Sequence, residues 1–305
     1  MIIRLLKWLS FSALLLVLSA VGYALFIQLS FDSTKPIVNY GSVNTELFTD
    51  ESQNRPLLVY FGGSEGGNSM SRASYSSERN KYLDAGYAVL AIGYFKMLGL
   101  PEELDRISLD AIYEKVVEAQ QLPFINSQCV AVMGGSKGAE LALLLASLYP
   151  DIDGAVAFAG SHVSFASPSF RTGASTASFQ YNGRDIPFVQ IPNSAIPSML
   201  TGDFREAYKV ALEEGKRDIV NAVIRVEDIK GPVLLVSGEN DHVWPSAEMS
   251  EKVIKRLVEN KFAYPYEHIM APDGDHFVPQ NEYHGHAIAF LNKHFKASCQ
   301  QKDGN

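Results

Sequence analysis

Cysteine is scarce in this chain of 305 residues, and its placement excludes a zinc site. Cys129 and Cys299 are the only two cysteines, and no Cys/His cluster has the spacing of a zinc motif. Because Cys129 falls in an apolar segment and Cys299 in a polar tail, we expect no disulfide between them. Two cysteines neither require nor exclude an oxidising compartment. The sequence predicts no metal and no cofactor.

Positive charge is also in short supply, which argues against nucleic acid as a partner. The net charge is −8, and no basic patch with interleaved aromatic residues appears. Internal repeats and coiled-coil heptads are absent as well, which excludes solenoids and long coiled coils. The composition is otherwise that of a globular protein, with 47% hydrophobic residues. The region 31–305 is long enough for one α/β domain.

The N-terminal region 1–30 contains a long apolar segment, Trp8–Leu29. A helix of about 20 apolar residues spans a bilayer. Arg4 and Lys7 precede the segment. The flank after it is mostly acidic, with Asp32, Lys35, Glu46, Asp50 and Glu51. The positive-inside tendency then predicts a cytoplasmic N-terminus and a catalytic domain across the membrane.

A cleaved signal peptide is the close alternative to this single-pass anchor. The small residues Ala20, Gly22 and Ala24 could form a cleavage site, and the protein would then be secreted to the periplasm. Because the apolar run is longer than a usual signal-peptide core, we expect the uncleaved anchor.

A short strand-like run, Cys129–Met133, leads directly into Gly134-Gly135-Ser136-Lys137-Gly138 and then into a strong helix former. This is the order of parts in a nucleophile elbow. A serine hydroxyl is a weak nucleophile, so it must project from a tight turn where a base reaches its proton. The motif predicts Ser136 as nucleophile. The alternative is a glycine-rich turn without chemistry.

An acid follows the next apolar run downstream. Val233–Val236 is continuously apolar, as expected for a parallel strand covered on both faces. Asp241 comes just past its carboxyl end, where catalytic groups gather in open α/β sheets. Glu239 is the competing acid, and a solvated turn or helix cap is the alternative role for Asp241.

The base is expected in the loop after the strand-like run Tyr266–Met270. His276 lies there in a polar, glycine-containing segment, and it completes the chain order Ser, Asp, His that α/β-hydrolases use. His284 and His286 are alternatives, but they open the final predicted helix. Surface or packing roles are expected for the remaining histidines, His162, His242, His268 and His294.

A glycine-rich loop is expected to supply an oxyanion hole. The strand-like run Pro56–Phe61 leads into Gly62-Gly63-Ser64-Glu65-Gly66-Gly67. In this arrangement one N–H comes from the residue after the nucleophile, here Lys137, and one from this loop. Gly63 and Ser64 are the candidates for the second donor. A phosphate-binding loop is excluded because the Gly-Lys-Ser/Thr ending is missing.

Strand-like and helix-like runs alternate along the chain, which predicts an α/β fold with a mostly parallel sheet and helices on both faces. The helix near Leu109–Gln120 shows one apolar face at helical spacing. Residues 161–230 break the alternation and are rich in Ser, Gly, Pro and aromatic residues. We expect a lid that shapes an acyl pocket, with a variable surface loop as the alternative.

Several stretches together resemble the C-terminal domain family of acyl-CoA thioester hydrolases and bile acid-CoA:amino acid N-acyltransferases. These stretches are 61–67, 72–74, 86–95, 100–104, 134–140 and 231–238. The resemblance covers roughly residues 45–297 and implies an α/β-hydrolase fold with a triad at Ser136, Asp241 and His276. The conjugating enzymes of that family use a cysteine nucleophile, so Ser136 implies hydrolysis. Unlike the larger members, this chain has too few residues before the hydrolase region for their β-sandwich domain.

We therefore expect a serine hydrolase that cleaves small-molecule acyl thioesters through an acyl-enzyme. An exported carboxylesterase or peptidase of the same fold is the first alternative. A catalytically inactive hydrolase fold used for binding is the second.

Overall fold

A computed structural model describes residues 2–302 of the chain, with side chains described for residues 7–299. Met1, the first residue of the predicted region 1–30, lies outside that range. So do residues 303–305, the last residues of the predicted region 31–305. A seven-stranded sheet forms the centre of the fold, in the order β1-β3-β2-β5-β6-β9-β10. All its neighbours are parallel except β1, which runs antiparallel to β3.

The strands follow the predicted alternation of strands and helices along the chain. The structure also contains short strands that the sequence did not predict. They are β1 Asn44–Phe48, β2 Arg55–Phe61, β3 Ala88–Gly93, β4 Ile107–Ser108, β5 Ile125–Gly135, β6 Ala155–Phe158, β7 Phe179–Tyr181, β8 Arg184–Asp185, β9 Val233–Gly238 and β10 Tyr266–Ala271. The strands β4, β7 and β8 form a separate small sheet.

The helices connect these strands or belong to the termini. They are α1 Ile2–Leu29, α2 Ser76–Asp84, α3 Leu109–Gln120, α4 Lys137–Leu148, α5 Ile196–Thr201, α6 Phe204–Glu214, α7 Lys216–Ala222, α8 Ser246–Glu259, α9 Val278–Glu282, α10 His284–Phe290 and α11 Ala297–Lys302. A π-helical turn, Leu291–Lys296, joins α10 to α11.

Alternating side chains of the central strands build two apolar layers. Leu57, Val59 and Phe61 of β2 pack with α3, α4 and α8 on one face of the sheet, whereas Leu58 and Tyr60 pack with α2 and α10 on the other. This follows from the two-residue period of a strand. Helices therefore cover both faces, as the sequence predicts.

Residues 161–230, which we call the insertion, leave this pattern as expected. The insertion contains β7, β8 and the helices α5 to α7. Gly215 separates α6 from α7. Asp203 caps α6 through its side chain, which accepts a hydrogen bond from the N–H of Glu206 at 3.1 Å.

The expectation that the two cysteines stay apart is wrong. Cys129 and Cys299 form a disulfide with a Cα–Cα distance of 5.6 Å. The tail after Phe295 is polar in composition, but it continues as a helix whose inner face returns to the sheet. Cys299 is buried there in the same apolar cluster as Cys129 and Phe295.

Candidate active site

The turn at Ser136 has the strained backbone of an elbow. Ser136 follows β5 and precedes α4, with φ 55° and ψ −122°, a conformation that a residue with a side chain rarely adopts. Its N–H donates to the carbonyl of Phe158 at 2.9 Å, which fixes the turn. A Cβ at Gly134 would overlap the backbone of Gly138, and a Cβ at Gly138 would overlap that of Gly62. Glycine is therefore required at both positions.

Asp241 and His276 meet beyond the carboxyl ends of β9 and β10. His276 Nδ1 lies 2.8 Å from Asp241 Oδ2, and both side chains are buried. Asp241 Oδ1 accepts hydrogen bonds from the N–H groups of Val243 at 2.9 Å and Trp244 at 3.1 Å. Because the carboxylate accepts from Nδ1–H, Nε2 of His276 is left as the proton acceptor.

The pKa of Asp241 reflects these contacts. Burial raises the pKa of the carboxyl, but hydrogen bonds from His276 and Trp244 and the attraction of His276 leave the pKa below its usual value. The competing acid, Glu239, accepts instead from the N–H of Asp273 at 3.0 Å. Of the two candidate acids, Asp241 is the one that contacts the candidate base.

The alternative histidines have other partners. His284 Nδ1 lies 2.7 Å from the hydroxyl of Tyr82, and burial lowers the pKa of His284 to about 4. His286 stacks on Tyr283. His268 lies 2.7 Å from the hydroxyl of Ser237.

Gln280 joins the elbow to the histidine loop, and nothing in its sequence context indicated it. A Cβ at Gly135 would overlap the side-chain oxygen of Gln280, so α9 packs directly against the residue before Ser136. Gln280 Nε2 donates to the carbonyl of His276 at 3.4 Å. The turn before Ser136 and the loop of His276 are thus in contact through one side chain.

The glycine-rich loop after β2 lies beside Ser136. A Cβ at Gly63 would come within 3.1 Å of Ser136 Cβ. The Gly63 N–H donates to Oε1 of Glu65 at 3.0 Å. Ser64 is exposed at the same turn. Gly63 thus lies next to Ser136, and its N–H is bound to a carboxylate.

Lys137 has a side-chain role that the motif did not reveal. It begins α4, so its N–H has no acceptor inside the helix. Its Nζ lies 2.7 and 2.8 Å from the two carboxylate oxygens of Glu140 and 3.2 Å from the carbonyl of Phe165. Glu140 Oε1 also accepts from the Ser164 hydroxyl at 3.0 Å and the Phe165 N–H at 3.2 Å. This ion pair fastens the insertion to the first turn of α4.

Both charges of this pair are buried. Burial lowers the pKa of Lys137 and raises that of Glu140, while their mutual attraction opposes both changes.

Phe165 of the insertion is connected to His276 by ring contacts. Its ring lies 6.0 Å from that of Trp244, which lies 5.9 Å from that of His276. The insertion therefore packs against α4 directly and reaches His276 through Trp244.

Curated proteins of known activity are similar in sequence to part of this chain. Human acyl-coenzyme A thioesterase 1 is 27% identical over 225 residues, which are 73% of this chain and 49% of that protein. Mouse peroxisomal succinyl-coenzyme A thioesterase is 28% identical over 184 residues, or 56% of this chain and 38% of its own length. The chain thus spans about half or less of these curated relatives.

Solved structures share the fold at low identity. A Mycobacterium tuberculosis puromycin-hydrolysing peptidase matches with a TM-score of 0.56 and 16% identity, over 85% of this chain and 39% of that one. The α/β hydrolase GrgF from Penicillium sp. sh18 matches with a TM-score of 0.54 and 14% identity, over 84% of this chain and 99% of that one. The fold is that of the α/β hydrolases.

The family model described as BAAT / acyl-CoA thioester hydrolase C terminal matches residues 113–300. This match includes the elbow, the Asp241 loop and the His276 loop. Because it covers more than half of the chain, the protein belongs to the BAAT / acyl-CoA thioester hydrolase C-terminal family.

Proposed function

We propose that this protein is a serine hydrolase that cleaves acyl thioesters through an acyl-enzyme, with Ser136 as nucleophile, His276 as base and Asp241 as its orienting acid. The observation that carries the proposal is the buried 2.8 Å contact between His276 and Asp241, at the sheet edge where Ser136 occupies its strained turn. Family membership supports thioesters as the substrate class.

The chemistry has two halves. Ser136 Oγ attacks the acyl carbonyl carbon while His276 Nε2 takes the hydroxyl proton. The bond to the leaving group then breaks, and His276 returns that proton to the leaving thiolate. Water next gives a proton to His276 and attacks the carbonyl carbon of the acyl-Ser136 ester. The bond from that carbon to Ser136 Oγ breaks, and His276 returns the proton to Oγ, which releases the carboxylic acid and restores the serine.

Two N–H groups would stabilise the tetrahedral oxyanion in each half. The Lys137 N–H is at the positive end of the α4 dipole, and the Gly63 N–H is the second candidate. The hydrogen bond between the Gly63 N–H and Glu65 must break before this N–H can bind the oxyanion. Asp241 keeps His276 in the required tautomer and stabilises the imidazolium.

The predicted location is a membrane, through α1. Residues Lys7–Leu29 of that helix are long and apolar enough to cross a bilayer, and none of their apolar window is buried against the domain. We propose a single-pass anchor with the catalytic domain outside the cytoplasm. The Cys129–Cys299 disulfide supports a location of the domain outside the cytoplasm, because disulfides persist in oxidising compartments.

The same disulfide favours one second candidate, an exported carboxylesterase or peptidase. Outside the cytoplasm acyl-CoA is not expected, so an ester or peptide would replace it as substrate. The catalytic groups and the acyl-enzyme route would be unchanged.

The deciding experiment measures thiol release from a panel of acyl-CoAs beside hydrolysis of aryl esters, with the full chain in detergent. Ser136→Ala is expected to lose at least about 10⁴-fold in activity, whereas Ser77→Ala, an exposed serine on α2, keeps it. Thiol release that survives Ser136→Ala contradicts the proposal. Ester hydrolysis without thiol release supports the exported esterase instead.

A serine-directed phosphonate probe distinguishes the thioesterase and the exported esterase or peptidase from a catalytically inactive binding protein. An activated Ser136 labels quickly. Absence of labelling in the folded wild type would mean that the fold is used for binding alone.

A further inference from the structure

The chain enters the catalytic domain from the active-site edge of the sheet. β1 runs antiparallel to β3, so its first residue, Asn44, lies opposite Gly93, the last residue of β3. β3 is parallel to the other five strands of this sheet. Gly93 therefore lies at the edge where these strands have their carboxyl ends, and where Ser136, Asp241 and His276 follow β5, β9 and β10. We call this the catalytic edge.

The connector between α1 and β1, residues 30–43, is held at the catalytic edge. Asn39 Nδ2 donates to the carbonyl of Leu100 at 3.3 Å, in the loop after β3. The hydroxyl of Tyr40 donates to Gln180 of the insertion at 2.8 Å. Arg106, which also follows β3, donates to the carbonyl of a connector serine, Ser33. Two of these contacts, at Leu100 and Arg106, are with the segment that follows β3 at this edge, and the third is with β7 of the small sheet.

The end of α1 itself touches the same edge. Gln28 Nε2 lies 3.4 Å from the carbonyl of Phe170 in the insertion. At the other end of the connector, Asn44 Oδ1 accepts from Asn68 at 3.2 Å, just after the glycine-rich loop. A helix that crosses a membrane and ends here brings the catalytic edge close to the lipid.

Exposed apolar side chains surround this junction. Leu98 is fully exposed in the turn after β3, Val38 is 77% exposed in the connector, and Phe170 is 60% exposed beside Gln28. The Leu98 turn is tied to the active site, because the Gly67 N–H of the glycine-rich loop donates to the carbonyl of Phe95 at 3.0 Å. Apolar residues in such positions stabilise an interfacial contact with lipid.

Charges at this junction are mixed. Arg171 lies 3.9 Å from Glu102, and Lys96 adjoins the Leu98 turn. Neither sign dominates, so the surface suits zwitterionic headgroups and needs no anionic lipid.

We propose that the catalytic edge faces the bilayer that holds α1, with Val38, Leu98 and Phe170 in the lipid interface. The substrate's acyl chain then reaches Ser136 from the membrane and not from bulk water, so the substrate class is long-chain, lipid-borne acyl thioesters or esters. This inference rests on the anchor role of α1 given under the proposed function.

The opposite edge of the sheet provides a matched control. α8 leads back from the catalytic edge of β9 to the start of β10, so its end lies at the amino edge. Val258, near that end, is also apolar and 56% exposed. It faces away from the lipid in the proposed orientation.

Site-directed fluorescence tests the orientation without relying on activity. Leu98→Cys and Val258→Cys are made in full-length Ser136→Ala and labelled with a polarity-sensitive dye without reductant, because both native cysteines are in the disulfide. The proteins are reconstituted in phosphatidylcholine vesicles with a spin label near the lipid headgroup. We expect quenching of at least about twofold at position 98, within the shallow depth of an interfacial contact, and none at position 258.

Every other pattern overturns the inference. Equal quenching at both positions, or more at 258, means a different orientation. No quenching at either position means that the domain stands off the membrane or has been released from it. A blue shift at 98 without lipid quenching means that a second copy of the chain covers this surface. These outcomes do not depend on turnover, so they are distinct from a failure of the hydrolase proposal.

Kinetics then test the substrate class. Leu98→Glu is expected to slow hydrolysis of a vesicle-borne palmitoyl substrate by about tenfold, because a charge opposes entry into the interface. It should leave hydrolysis of a soluble acetyl ester unchanged, and Val258→Glu should affect neither substrate. An equal loss of both activities in Leu98→Glu contradicts membrane delivery.

Discussion

The proposed active site has an acid–base half, Asp241 and His276, and an oxyanion half, and the two differ in how firmly their polar groups are held. Asp241 is fully buried and accepts hydrogen bonds on both carboxylate oxygens. On the other side of Ser136, the Gly63 N–H is bound by the exposed carboxylate of Glu65. The first half is fixed before substrate arrives, whereas the second must exchange a partner. In the proposed mechanism, the groups for proton transfer are therefore preorganised, whereas those for oxyanion binding are not yet in place.

The acid–base half should give the larger loss when it is broken. Asp241→Asn keeps the shape of the side chain, but its amide favours the wrong tautomer of His276, so we expect kcat to fall about 10⁴-fold. The measurement is the steady-state hydrolysis of an aryl ester.

Glu239→Gln is the matched control for this change. Glu239 lies in the same loop, and the one described hydrogen bond of its side chain is with the N–H of Asp273, so activity should stay within about twofold, as for an exposed carboxylate. Equal losses in the two variants would contradict the assignment of Asp241.

Disrupting the buried pair Lys137–Glu140 tests whether the two halves are linked, because the pair joins Lys137, the proposed oxyanion donor, to the insertion. Lys137→Met leaves a buried carboxylate without its cation, which should reduce the free energy of unfolding by about 3–5 kcal/mol. Adding Glu140→Leu removes that charge and should restore most of the stability. Urea unfolding measures both changes.

Activity should not return with stability in the double variant. The hydroxyl of Ser164 and the N–H of Phe165 lose their acceptor, so the insertion is no longer fastened to α4, and we expect kcat/KM about tenfold below wild type, the size of one lost hydrogen-bonded contact. Full recovery of kcat/KM together with stability would mean that the pair serves folding alone.

The sequence predicted the parts of this site that depend on local order. The elbow at Ser136 is recognisable because strand, glycines and helix are contiguous, and the bounds of α3 match the predicted helix over Leu109–Gln120. The placement of Asp241 and His276 beyond the ends of β9 and β10 follows from the rule that strand ends collect catalytic groups, and their catalytic roles stay a prediction.

Contacts between distant segments were beyond the sequence. The disulfide partner of Cys129 is 170 residues away, and the polar composition of the tail concealed a buried helical face. The Lys137–Glu140 spacing was visible, but an i, i+3 pair is usually solvent-exposed. Only the fold of the insertion over α4 shows that this one is buried.

A change in the oxyanion half should have the smallest effect on activity, and it should raise kcat/KM where the other changes lower it. Glu65→Ala removes the carboxylate that binds the Gly63 N–H, so that donor becomes available to the substrate oxyanion. Because Glu65 is exposed and screened by water, we expect kcat/KM to rise only about two- to threefold, with Glu65→Gln between wild type and Glu65→Ala. Glu102→Gln, an exposed carboxylate of the same edge, should change nothing. A fall in kcat/KM for Glu65→Ala would instead make Glu65 a group that orients the loop for catalysis, and the two halves of the site would then be equally preorganised.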